Sequence, residues 1–224
     1  MLTAADAHHW GSIPSVVDYV ARQIPSGATV LELGPGHTPF PRATTLVDFA
    51  DLPPRPGVQT IKCDVAREPL PFPDKHFDFV YCRHMLEDMW NPFHVCAEIS
   101  RVGRAGYVET PSPVAEICRG ADGGAPAYRG YHHHRWVIWV RHGKLRFVSK
   151  YPLVEYLPFD ERRLVGLLQF DRHNWNSYYL WTDQVAVEHL QSPLNFDIPR
   201  DYNRVLNAAI DESLQSTGLF LLPL

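Results

Sequence analysis

The stretch LELGPGHTPFPRATTLVD, Leu31 to Asp48, decides how this 224-residue chain is read. It begins as a buried strand running into a glycine turn, where Gly34 and Gly36 permit a tight bend and let backbone approach a ligand closely. The next apolar run ends in an acid, Asp48. In nucleotide-binding α/β domains such an acid comes roughly twenty residues after the glycine turn, with a helix between. Here only His37 to Thr44 separate them, and Pro39 and Pro41 forbid a helix. PFPR therefore reads as an extended crossover. One sheet face then lacks its usual helical cover, which we expect the C-terminal half to supply in part.

Upstream, IPSVVDYVARQI places Ile13, Val16, Val17, Val20 and Ile24 on one helical face, with Ser12 as N-cap and Pro14 in the first turn. Downstream, GVQTIKCD reads as a third strand ending at Asp64, and FDFVYC as a fourth. A helix follows in which Phe93, Ala97, Ile99 and Val102 cover one side and Gly103 forms the stop; AGYVET is a fifth strand. Alternating strands and crossovers imply an α/β class, a Rossmann-like doubly wound sheet. Beyond Pro113 the pattern changes. EICRGADGGAPAYRGYHHH reads as a mobile loop, and RWVIWV with KLRFVSK as a β-hairpin. Helices are expected around Glu161 to Leu168 and Tyr202 to Leu214. Residues 1–112 thus form a cofactor-binding core, and 113–224 a lid, hairpin and helical substrate-facing appendage within one integrated domain.

The formal net charge of -4 argues against a general nucleic-acid binder. The basic segment RHGKLRFVSK reads as a solvated hairpin. No apolar run is long enough to span a bilayer, and MLTAADAHHW lacks the form of a signal peptide. Four scattered cysteines suit reduced thiols, so a cytoplasmic location is expected. The C-terminal GLFLLPL reads either as a homodimer contact or as a packed terminal strand.

Chemistry gathers at the strand ends. The dinucleotide fingerprint wants a third glycine where Pro39 stands, which disfavours a nicotinamide site, and the P-loop lysine and hydroxyl are absent. An acid after strand two can hold both ribose hydroxyls of an adenosine, and one after strand three can accept from an adenine amino group. Glu32 is placed to organise the glycine turn or to face a cationic amine. His84 is the leading general base, with packing against the next helix as its alternative. Glu109 either faces an acceptor or bonds to the next turn. Glu87 and Asp88 read as solvated first-turn acids. His132, His133 and His134 read as surface or substrate-contact histidines. In an extended strand only His132 and His134 share a face, and no CxxC or HxxxH partner is near, so no metal is expected. HNWNSYYLW lines an acceptor pocket or packs in a core.

Taken in order, VLELGPG, LVD, CDV, LPFPDKHFDFVYCRHMLED and YVETPSP resemble the class I S-adenosylmethionine-dependent methyltransferases, over roughly residues 28–113. The resemblance implies S-adenosyl-L-methionine as cofactor, with Gly34 and Gly36 at its methionine part, Asp48 at the ribose, Asp64 at the adenine edge and Val65 on the adenine ring. Cys82 to His84 would lie beside the reactive methyl. The string after strand three is most similar to the small-molecule branch, which implies a small-molecule substrate. The alternatives are a non-catalytic or regulatory protein on the same fold, or an enzyme using the cofactor otherwise.

Overall fold

The structure, a computed structural model, describes residues 2, 12–190 and 197–217. The elements to the fifth strand are α1 (Pro14–Gln23), β1 (Val30–Leu33), β2 (Thr45–Asp48), β3 (Gln59–Lys62), β4 (Phe77–Arg83), α2 (Pro92–Val102) and β5 (Gly103–Pro111). There follow α3 (Pro113–Ile117), β6 (Trp136–Arg141), β7 (Lys144–Ser149), α4 (Glu161–Phe170), β8 (Asn176–Thr182), β9 (Val187–His189) and α5 (Asn203–Thr217). The chain divides into two compact units. One comprises Pro14–Glu109 and Tyr179–Val187; the other comprises the described residues of Met1–Ile13, Thr110–Tyr178 and Glu188–Leu224.

The first unit is built on the sheet β3-β2-β1-β4-β5-β8. Its first five strands pair in parallel. β8 joins the edge antiparallel, since Asp183 pairs back to Arg104 while Trp175 pairs with Ser112. Strand order reverses between β1 and β4, the switch point at which such sheets open a crevice beyond the carboxyl ends of their strands. β1, with all four residues of VLEL buried, shows the unalternated apolar pattern of a strand covered on both faces. The mixed α/β, Rossmann-like sheet expected from the sequence is the one observed.

The crossover from β1 to β2 contains no helix, and the residues of PFPR replace one. Phe40 is buried and stacks on Tyr81 of β4, with ring centroids 4.3 Å apart and planes within 6°. Tyr81 lies 5.2 Å from Tyr107 of β5, so an aromatic row runs across the face. Glu32, Tyr81 and Tyr107 are register partners and share that face. Arg42 donates to the carbonyls of Ala21, Ile24 and Pro25 at 3.0, 3.2 and 2.8 Å, closing the C-terminal end of α1.

Three local readings need correction. In α2 the buried side is Val95, Cys96, Glu98, Ile99 and Val102, while Phe93 is half-buried and Ala97 exposed. Pro92 starts the helix behind the Asn91 cap, which shifts the phase of the face. Val17 of α1 is likewise only half-buried. Gly103 ends α2 in an extended conformation, φ -105°, rather than a left-handed one. Its small size is demanded by packing, because a Cβ there would lie 2.5 Å from Val80 Cγ2 and 3.1 Å from the Trp181 ring.

In the second unit β6 and β7 form the expected hairpin, turned by His142 and Gly143, both at positive φ, and β9 adds to β7. This hairpin is not simply solvated: Leu145, Phe147 and Val148 are buried, and Arg141 and Arg146 pair with Glu212. α3, α4 and α5 gather around Val114, Ile117, Trp139, Leu164, Leu206 and Ile210. The segment from Glu116 to His134, expected as a mobile loop, is largely anchored. Ile117, Cys118, Ala121 and Tyr131 are buried, and Arg129 donates to the carbonyls of Ile117 and Leu157. At its base Glu116 is fully buried, 2.5 Å from His134 Nδ1 and 2.6 Å from Lys150 Nζ. Burial alone would raise the Glu116 carboxyl, but Lys150 and His134 outweigh it and hold it down to about 2.

HNWNSYYLW becomes the turn Arg172–Trp175 followed by β8, and Trp175, Tyr179 and Trp181 are buried, as the core-packing alternative expected. All four cysteines are free and buried. No described helix is long and apolar enough to cross a membrane. His8, His9 and GLFLLPL lie outside the described residues.

Candidate functional site

The carboxyl ends of β1 to β4 converge on one cleft of ≈ 190 Å³. Gly34, Asp48, Asp64, Val65 and His84 all line it, so five of the nine residues singled out from the sequence meet there. The other lining includes Phe49, Met85, Asp88 and Met89. Gly36 sits two residues beyond, exposed at φ +53°, and is not part of the lining.

The two acids are held by the same local device. Asp48 Oδ1 accepts from the Ala50 N–H at 2.9 Å, and Asp64 Oδ1 from the Ala66 N–H at 3.2 Å. Each is an Asx turn at the end of its strand, which orients the carboxylate without a distant partner. Arg67 lies 3.6 Å from the second oxygen of Asp64. Gly34 adopts φ +60°, and its N–H is engaged by the Val47 carbonyl at 2.9 Å. Its contribution to the cleft is therefore closeness: Met85 Sδ stands 3.5 Å from where a Cβ would be.

Glu32, Cys82 and Glu109 do not line the cleft. Glu32 is buried and accepts from the Phe40 N–H at 2.8 Å, which ties the crossover to β1. Burial pushes its carboxyl up to about 7, against the pull of that N–H and of Arg83. Cys82 is fully buried, and burial raises its thiol well above the usual range. Glu109 accepts from the Tyr107 hydroxyl at 2.6 Å and from Arg83 Nε at 3.2 Å.

His84 ends β4 in a left-handed conformation, φ +49°, unusual for a residue with a Cβ. The strain turns its ring between two buried carboxylates, with Glu87 Oε1 3.4 Å from Nδ1 and Glu109 Oε1 3.6 Å from Nε2. Burial opposes the charged imidazole, yet the two carboxylates prevail and its pKa is raised. Glu109 is held low by the reverse effect: burial raises it, while His84, Arg83 and Tyr107 more than offset that. Glu87 is thus a buried member of this network, not the solvated first-turn acid the sequence suggested. The sequence reading missed Phe49, Met85 and Met89. Their only local signal is adjacency, Phe49 to Asp48, and the i,i+4 methionines to the end of β4.

An apolar wall, two oriented acids at adjacent strand ends and a buried histidine suit an adenosine-bearing ligand. A volume of ≈ 190 Å³ takes a nucleoside-sized portion of one. The methyltransferase domain family matches residues 16–107 of this chain. No curated protein matches it. Among solved structures, a methyltransferase from Bacillus halodurans is 21% identical over 44% of this chain and 52% of its own, with a TM-score of 0.35. An S-adenosylmethionine-dependent methyltransferase from Mesorhizobium loti is 14% identical over 92% of this chain and 94% of its own, TM-score 0.41. A Haloferax volcanii methyltransferase solved with a methyltransferase activator is 16% identical over 84% and 95%, TM-score 0.44. The chain spans about half the length of the first of these. The match over residues 16–107 takes in every residue that lines the cleft, so the cleft lies within the part of the chain that is similar to the methyltransferase domain family.

Proposed function

We propose that the protein transfers a methyl group from S-adenosylmethionine to an oxygen or nitrogen nucleophile of a small molecule. The observation that carries this reading is the convergence of Asp48, Asp64, Val65 and His84 on one cleft at the switch point of the sheet. Asp48 would hold the ribose hydroxyls and Asp64 the adenine edge, with Val65 and the two methionines as apolar wall. The sulfonium supplies an already activated methyl, so the chain's own task is to align the acceptor and exclude water.

His84 would take the acceptor's proton, with Glu87 and Glu109 as positioning residues on either side of its ring. The base form predominates only above its pKa, and that pKa is raised from the ordinary 6.5. The rate should therefore climb with pH through a value higher than that of an ordinary histidine. His84→Asn, which tolerates the left-handed backbone, should abolish this arm of the pH profile. An unaltered profile would remove His84 from the chemistry.

Calorimetry with S-adenosylmethionine, its demethylated product and NAD tests the cofactor assignment. Saturable binding of the first two alone is expected, and no binding at sub-millimolar concentration would end the methyltransferase reading. Asp48→Ala should weaken binding by about 1–3 kcal/mol, the loss of hydrogen bonds to a charged acceptor. Equal affinity in that variant would displace the ribose from Asp48. If the cofactor binds but a metabolite screen yields no demethylated product, a regulatory cofactor-binding role is favoured instead.

A further inference from the structure

We propose that Asp122, His132 and His133 form a binding site for a divalent transition-metal ion of the zinc type. The sequence argued against a metal because an extended strand would put His132 and His133 on opposite faces. The backbone there is a turn, not a strand, and the two rings lie 5.5 Å apart between centroids. His134 lies beside His133, with ring centroids 4.5 Å apart, but its Nδ1 is engaged by the buried Glu116. Asp122, ten residues earlier, completes the set: one donor atom from each of the three residues lies within 4.8 Å of the others.

Two of the donors already stand at ligand spacing. Asp122 Oδ2 is 3.3 Å from His132 Nδ1, and two donors on a tetrahedral zinc, each ~2.0–2.1 Å from it, are about 3.3 Å apart. The other oxygen, Oδ1, accepts from the Gly124 N–H at 2.9 Å, which orients the carboxylate as outer-shell partners do in metal sites. His132 is 57% exposed, so an ion can reach it from solvent. Two imidazoles and a carboxylate suit zinc and its neighbours rather than calcium or magnesium. Three protein donors leave a position for water or another ligand. An ion there would bind the Asp122 turn to the His132–His133 turn.

The test uses the full chain stripped with a chelator and titrated with zinc chloride by calorimetry. One equivalent of saturable zinc is expected. Asp122→Asn, His132→Gln and His133→Gln should each weaken it at least about ten-fold, as the loss of a ligand must exceed the loss of an outer-shell partner. His142→Gln, another exposed histidine of the same unit, should not. On the wild-type chain alone, zinc should protect His132 and His133 from diethylpyrocarbonate, read by mass spectrometry. Absence of saturable uptake, or unchanged affinity in all three ligand variants, or no protection, would overturn the site. Each readout is independent of methyl transfer, so failure here leaves the cleft assignment standing.

Discussion

Phe40→Ala should destabilise the protein by about 3–5 kcal/mol, the usual cost of removing a buried, well-packed phenylalanine. Phe40 is 4% exposed and lies flat on Tyr81 in the crossover that lacks a helix. The substitution removes the ring that closes the row reaching Tyr107, and it opens the face on which Glu32 is buried. The neighbouring strands cannot collapse into the void, because their backbones are tied in register on both sides of β1. Phe40→Leu, which keeps apolar volume and the backbone bond to Glu32, should cost clearly less. Urea unfolding measures both. A loss under ~1 kcal/mol for the alanine variant would mean that PFPR does not act as the cover of that face.

Glu116→Gln should cost a similar ~3–5 kcal/mol, because removing one member of a buried ion network strands the others. Lys150 and His134 would face an amide where the carboxylate had been, at a site where Glu116 is fully buried and Lys150 is 5% exposed. The carboxyl is held down to about 2 in the folded chain, against an ordinary value of 4.5. Its contribution to stability is therefore complete above 4.5 and disappears as pH falls from 4.5 towards 2. Wild type and variant should differ most near neutrality and converge in acid. Denaturant midpoints at stepped pH values check this, and a gap that stays constant down to the lowest pH would show that Glu116 is not the titrating group.

The outline of the fold was legible because its signals are local. The apolar runs VLEL and FDFVYC, the glycine turn and the acids at Asp48 and Asp64 each announce a strand or its end within a few residues. Pro39 and Pro41 excluded the helix by backbone geometry alone. What replaced the helix was not legible. The stacking of Phe40 on Tyr81 joins residues 41 positions apart, and nothing in PFPR states which face its ring will cover.

The site divides in the same way. Asp48, Asp64 and Val65 follow from their position at strand ends, because a parallel sheet brings consecutive ends together whatever its side chains. The tasks of Glu32, Glu109 and Glu87 depend on which distant partner each meets once buried: Phe40 N–H, Tyr107 with Arg83, and His84. The histidine run illustrates the limit most sharply. Residue spacing alone assigned alternate faces by assuming a strand, whereas the turn from His132 to His133 and the return of Asp122 arise from the anchoring of Ala121 and Tyr131 in the core. By itself the sequence determined the α/β class, the missing helix and the acids at the strand ends, since these rest on local backbone preference and hydrophobic pattern. Only the tertiary structure decided what covers the open face, which acids are buried and paired, and which histidines meet, because those outcomes depend on contacts between residues far apart in the chain.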